Sequence, residues 1–295
     1  MLDVPGGQIA GLVFGREAPN PDIVFLHATG FNARTYRAMI APLGDRFTVW
    51  AIDLRGHGRT TLSPRGFGYS SWRPHRNDVI ALLERHTAAP VTLAGHSLGG
   101  TVALLLAAKR PDLVASLALI DPVIAPLGFY ALMELPLAPL LLRGAIPLAR
   151  NAAKRRARFP DHEAAIQAFT GRGIFKTFSP EMIEDYVADG LVADARGGLK
   201  LACSPAYESA TFAAHRNNPW AVLRGVHCPI VLLRAGRDST LRLESAHRFA
   251  ALKPETHIAT IEGAGHMLPM ERPDRVRAAI ESAALLGRRG TREFG

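Results

Sequence analysis

Seven short apolar runs recur along the chain, and their lack of polar alternation constrains the fold more than any other feature: IAGLVFG (9–15), DIVFLH (22–27), FTVWAI (47–52), VTLAGH (91–96), SLALID (116–121), PIVLLRA (229–235) and HIATIE (257–262). A strand that is apolar throughout must be covered on both faces. Helical patterns lie between the runs, near 34–43, 72–88, 98–110, 242–252 and 274–286. In the last, Val276, Ala279, Ile280 and Ala283 share one face and Gly287 marks a stop. Strands alternating with helices predict an α/β fold with a doubly wound, mostly parallel sheet. The alternation fails between Asp121 and about Leu223, where no strand stands out. Ser179-Pro180 and Ser204-Pro205 each read as a helix cap followed by proline at the first helical position. Residues 1–121 and 223–295 are therefore expected to form one core, and 122–222 an inserted helical cap or lid.

The 295 residues suffice for a full core, and 48% hydrophobic with 21% charged residues is ordinary for a folded chain. The net charge of +9 comes with no basic face interleaved with aromatics and no nucleic-acid motif, so no nucleic-acid partner is expected. Two cysteines, Cys203 and Cys228, are too few for a disulfide framework, and no basic signal precedes the first apolar residues; a cytoplasmic location is the expectation. The run from Val123 to Leu142 is long enough for a bilayer, but Pro126, Glu134, Pro136 and Pro139 interrupt it, so stable membrane insertion is not expected. The basic run Arg150 to Arg158 reads as a solvated face of a cap helix. The oligomeric state has no signature in the sequence.

Within VTLAGHSLGG, Gly95, Ser97 and Gly99 make a G-x-S-x-G pattern between an apolar strand and an apolar helix. Such a turn exposes a serine hydroxyl at the sheet edge, and the flanking glycines let strand and helix pass without side-chain clashes. A serine hydroxyl needs a base to take its proton and an acid to orient that base. His266, in GAGHM after the last strand, is the base expected. Asp238, in AGRDS after the strand PIVLLRA, is the preferred acid, with Asp121, at the end of SLALID, as its rival. His27, His57 and His96 read as loop-shaping hydrogen-bonders. No HExxH or similar ligand spacing occurs, so no metal is expected.

In this order, FLHATGFNART, DLRGHGRT, GHSLGG, AGRDS and GAGHM resemble the motifs of the α/β-hydrolase fold family, across nearly the whole chain. The resemblance implies Ser97 as nucleophile, His266 as base and Asp238 as acid. It also implies an oxyanion hole from the Leu98 and Thr29 amides, although Ala28 stands where the family commonly has glycine. It implies hydrolysis of a carboxylic ester or lactone with a small apolar substrate and no cofactor. A C–C bond hydrolase of ring-cleavage products is the alternative; such members usually carry Trp after the histidine, where this chain has Met267. A non-hydrolytic receptor on the same fold is the reading from another class. Phe129, Tyr130, Met133 and Leu137 are expected to form an apolar lid wall, joined at the substrate by Phe31 and Met267.

Overall fold

A computed structural model of the chain describes residues 1–16, 18–64, 69–135, 138 and 143–293. A hairpin of β1 (Leu2–Val4) and β2 (Gly7–Ile9) leads into β3 (Gly11–Phe14), β4 (Ile23–Leu26), β5 (Val49–Ile52), β6 (Val91–His96) and β7 (Val114–Ile120). Three short strands follow, β8 (Arg158–Phe159), β9 (Leu191–Ala193) and β10 (Leu199–Leu201), before β11 (Ile230–Ala235) and β12 (His257–Ile261). The central sheet has seven strands in the order β12-β11-β7-β6-β4-β5-β3, parallel except for the antiparallel edge pair β3 and β5.

The uninterrupted apolarity of the strands is explained by their two covered faces. Along β4, Ile23 and Phe25 join one core, which includes Val276, Ile280 and Ala283 of the helix Pro273–Glu293. Val24 and Leu26 point the other way, into a core with Leu82 and Leu83 of the helix Arg73–His86 and Phe249 of the helix Leu243–Leu252. The helix Leu98–Lys109 is buried from Leu98 through Ala107.

Between β7 and β11 the chain is mainly helical. Ser179 accepts a hydrogen bond from the Met182 N–H and Ser204 from the Tyr207 N–H, with Pro180 and Pro205 opening the two helices Pro180–Gly190 and Pro205–Ala213. The expectation of no strand there is corrected by the small antiparallel sheet β8-β10-β9. Its strands are two or three residues long and carry Arg158, Lys200 and exposed Val192, too short to show a period.

This segment is fastened to the loop after β4. Asn32 donates from Nδ2 to the Tyr186 carbonyl at 2.9 Å, and Arg34 and Arg37 pair with Asp189 and Asp185 at 3.0 and 2.9 Å. Phe31 enters an aromatic cluster, stacked on Phe178 at 5.9 Å and edge-on to Tyr186 at 5.7 Å. No helix among the described residues is long and apolar enough to cross a membrane.

Candidate active site

The turn after β6 is as tight as its sequence requires. Ser97 has φ 55° and ψ −117°, a region few side-chain-bearing residues adopt. A Cβ on Gly99 would stand 2.1 Å from the Leu26 carbonyl oxygen, and one on Gly95 would stand 2.4 Å from the Gly99 carbonyl carbon. Only glycine lets strand, turn and helix approach this closely.

Ser97 Oγ lies 3.0 Å from His266 Nε2, and His266 Nδ1 lies 2.6 Å from Asp121 Oδ2. The acid beside the histidine is thus Asp121 at the end of β7, which corrects the expectation of Asp238. Asp121 is fully buried, and its carboxylate also accepts from the Ser239 hydroxyl (2.5 Å), the Ala235 N–H (2.9 Å) and the Thr240 N–H (3.1 Å). Asp238 sits in an exposed turn at φ 51°, on the rim of the same chamber. The RAGRDST segment holds the acid rather than supplying it, because the two residues after Asp238 turn their donors onto Asp121. Burial pushes the Asp121 carboxyl up. The hydrogen bond and charge of His266, with the Ser239 and Ala235 donors, outweigh it and hold Asp121 below the usual aspartate range.

Histidines hold the loop after β4. His27 Nδ1 donates to the Ala28 carbonyl (2.7 Å), so its Nε2 accepts from the Leu54 N–H (2.9 Å). His57 Nδ1 donates to the Arg55 carbonyl (2.9 Å), and its Nε2 accepts from the Gly30 N–H (3.0 Å). His96 Nε2 donates to the His266 carbonyl (2.8 Å), so its Nδ1 accepts from the Tyr36 hydroxyl (2.8 Å), which accepts in turn from the Ala28 N–H (3.1 Å). Burial keeps all three rings neutral: it pushes His57 down to about 4 and His96, beside His266, to about 3, while His27 also falls well below the usual range. The loop-shaping role read for these rings agrees with every one of these bonds. With Ala28 and Gly30 both committed, the buried Thr29 N–H has no protein acceptor among the described residues. The Leu98 N–H opens its helix, where no intrahelical acceptor exists.

The alpha/beta hydrolase family model matches residues 23–279, most of the chain. This chain belongs to the alpha/beta hydrolase family. The 2-(acetamidomethylene)succinate hydrolase of Mesorhizobium japonicum is 23% identical over 260 residues, covering 88% of this chain and 86% of that protein. The sn-1-specific diacylglycerol lipase of Mus musculus is 28% identical over 275 residues, covering 90% and 81%. Among solved structures, E-2-(acetamidomethylene)succinate hydrolase superposes with a TM-score of 0.76 at 24% identity, covering 95% of this chain and 97% of that one.

In this hydrolase a chamber of about 480 Å³ opens over Ser97 and His266. Thr29, Phe31 and Met267 line it as expected. The expected lid wall does not. Tyr130 is 1% exposed, with its hydroxyl held by the Ala125 N–H and the Val123 carbonyl, and Met133 is 0% exposed. Both sit inside the protein, on the buried side of the short helix Leu127–Met133. Phe129 stands one layer behind the chamber, edge-on to His215 at 4.9 Å, and Leu137 lies outside the described residues. The apolar wall of the hydrolase comes instead from Trp72, Ile146, Leu148, Ile174 and Phe212. Nothing in the sequence pattern singled these out, since they come from separate segments.

The basic run is also not one solvated face. Its helix ends at Ala153, and Arg155 turns inward to pair with buried Glu208 at 2.8 Å, whereas Arg150, Lys154, Arg156 and Arg158 are exposed, the last paired with Asp194 at 2.5 Å.

Proposed function

We propose that the protein is a serine hydrolase that cleaves a carboxylic ester or lactone through an acyl-enzyme on Ser97. The observation that carries this reading is the continuous line from Ser97 Oγ through His266 to the buried Asp121 carboxylate, opening on an apolar chamber. The serine oxygen forms its bond to the substrate carbonyl carbon as its proton passes to His266 Nε2, and the carbonyl electron pair moves onto oxygen. The Thr29 and Leu98 N–H groups, neither of them committed to an intrachain acceptor among the described residues, would donate to that oxyanion, a contribution of roughly 3–4 kcal/mol per donor in such sites. Collapse breaks the bond to the alkoxy group, which leaves with the proton from His266. Water then repeats the sequence and frees the acid. Asp121 keeps the Nδ1 proton in place and stabilises the imidazolium without taking the proton. No metal or organic cofactor is needed for these steps. Phe31, Ile174 and Phe212 offer the acyl chain apolar surface, worth about 0.8 kcal/mol per buried methylene.

Purified protein should release p-nitrophenol from p-nitrophenyl esters, and Ser97→Ala should abolish the release. A fluorophosphonate should add its mass to the peptide containing Ser97. Turnover that survives Ser97→Ala, or labelling at a different serine in active protein, would refute the reading.

A further inference from the structure

Part of the chamber wall comes from one helix and the turn after it: Glu208 and Phe212, spaced i, i+4 on one face of the helix Pro205–Ala213, and His215 just beyond its end. Phe212 supplies apolar surface, but its two neighbours are polar groups with unused hydrogen-bonding capacity. Glu208 is 4% exposed. Both of its carboxylate oxygens accept from a single nitrogen, Arg155 Nη1, at 2.8 Å each, while Arg155 Nη2 is turned away to the Tyr186 hydroxyl at 2.6 Å. An ionised carboxylate has about four acceptor positions. One nitrogen cannot fill them, and a buried acceptor left short costs about 1–3 kcal/mol. His215 Nδ1 is likewise buried without a hydrogen-bond partner.

The carboxylate stands close to the chemistry. Its Oε1 would be 2.3 Å from a Cβ at Gly30, the residue after Thr29, so the loop passes against it only because position 30 is glycine at φ 80°. Arg155 is needed to keep the charge inside the protein, yet it does not satisfy it. An enzyme that handled only plain alkyl chains would do better with an apolar residue here.

We infer that Glu208 is a specificity-determining residue: it accepts a hydrogen bond from a hydroxyl or amide N–H on the substrate, beyond the ester carbonyl. This rests on the ester or lactone hydrolase reading and narrows its substrates to acyl or alcohol groups that carry a donor. A site built around such a bond rejects an analogue that cannot make it more strongly than an apolar pocket rejects a missing methylene.

The test uses medium-chain p-nitrophenyl esters bearing a hydroxyl at successive carbons, each matched to the ester with a keto group at the same carbon, which accepts but cannot donate. Calorimetry on Ser97→Ala measures affinity without turnover. At least one hydroxy ester should bind about tenfold more tightly than its keto partner. The ratio should fall to under threefold with Glu208→Gln added, because the amide can donate to either group. Glu208→Asp, which withdraws the carboxylate by one methylene, replaces the Gln variant if that variant does not fold. No pair separated by more than threefold, or a preference that survives the Glu208 change, overturns the inference. If the preference is present but the unmodified protein hydrolyses none of the esters, the ester reading fails and the role of Glu208 stands.

Discussion

Replacing Asp121 with asparagine swaps one oxygen for an NH₂ group at a position where both oxygens are engaged. If the nitrogen takes the place of Oδ2, it faces His266 Nδ1 and the Thr240 N–H, which lie 2.6 and 3.1 Å from that oxygen. His266 must then present a lone pair at Nδ1 and carry its proton on Nε2, toward Ser97, where it can no longer accept. If the nitrogen takes the place of Oδ1, it opposes the Ala235 N–H, 2.9 Å away, and the imidazolium loses its counter-charge. Either orientation strands a buried N–H, at about 1–3 kcal/mol of stability. The wrong tautomer costs about 10⁴-fold in turnover, close to 5.5 kcal/mol of barrier. We expect kcat to fall by about 10³–10⁴-fold. The assay is p-nitrophenyl ester hydrolysis, with circular dichroism to show that the variant is folded at the assay temperature. Asp238→Asn, in its exposed turn, should change kcat by less than about threefold. If Asp121→Asn keeps more than a tenth of the activity, or Asp238→Asn proves the more damaging, the acid is misassigned.

Acid should destabilise the protein through its buried histidines. His57 and His96, held at about 4 and 3, have folded values below the unfolded one, so their contribution is present above pH ~6.5 and lost as pH falls toward 4, about 3 kcal/mol for His57 alone. Asp53, pushed up to about 6 by burial, works in the opposite sense and offsets roughly one histidine; urea midpoints that rise from pH 7 to pH 5 would contradict this balance. Gly99→Ala should prevent the turn after β6 from forming, since its methyl would meet the Leu26 carbonyl oxygen at 2.1 Å; a soluble, fully active variant would show that the turn is looser than described. Ile174→Ala, on the chamber wall, should raise KM for longer acyl esters by about three- to tenfold per the loss of apolar contact while sparing acetyl esters; equal effects on both would place Ile174 outside the acyl path.

The sheet was readable in the sequence because a strand covered on both faces leaves an unbroken apolar run. β4, β6 and β11 each fall within such a run and are buried on both faces, β7 begins two residues ahead of its run, and β12, at the sheet edge, is buried on one face only. Ser97 and His266 were readable because each sits where a strand ends in a glycine-rich turn. The acid was not, because Asp121 and Asp238 both follow strands directly, and only the sheet order, with β7 between β6 and β11, decides between them. The chamber wall was hidden for a different reason. Within 123–133 the apolar side chains of Ile124, Tyr130 and Met133 pack inside the protein while Leu127 and Leu132 are exposed, and apolarity alone does not distinguish a core from a substrate wall. Glu208 and His215 gave no periodic signal, since a helix facing a cavity has the same pattern as one facing solvent at those positions.

Among the described residues, the side-chain-bearing positions with positive φ are Ser97, Asp121 and Asp238, which follow three neighbouring strands of the sheet. Strain of this kind costs roughly 1–3 kcal/mol at each position. A search for heat-resistant variants would therefore be drawn to these positions first, because glycine there relieves the strain. At Asp238 that gain should be compatible with turnover. At Ser97 it would yield a sturdier protein without the proposed nucleophile, whereas at Asp121 the Ser239, Ala235 and Thr240 donors left without their acceptor offset the relief, so a screen for improved variants has to score activity and melting together.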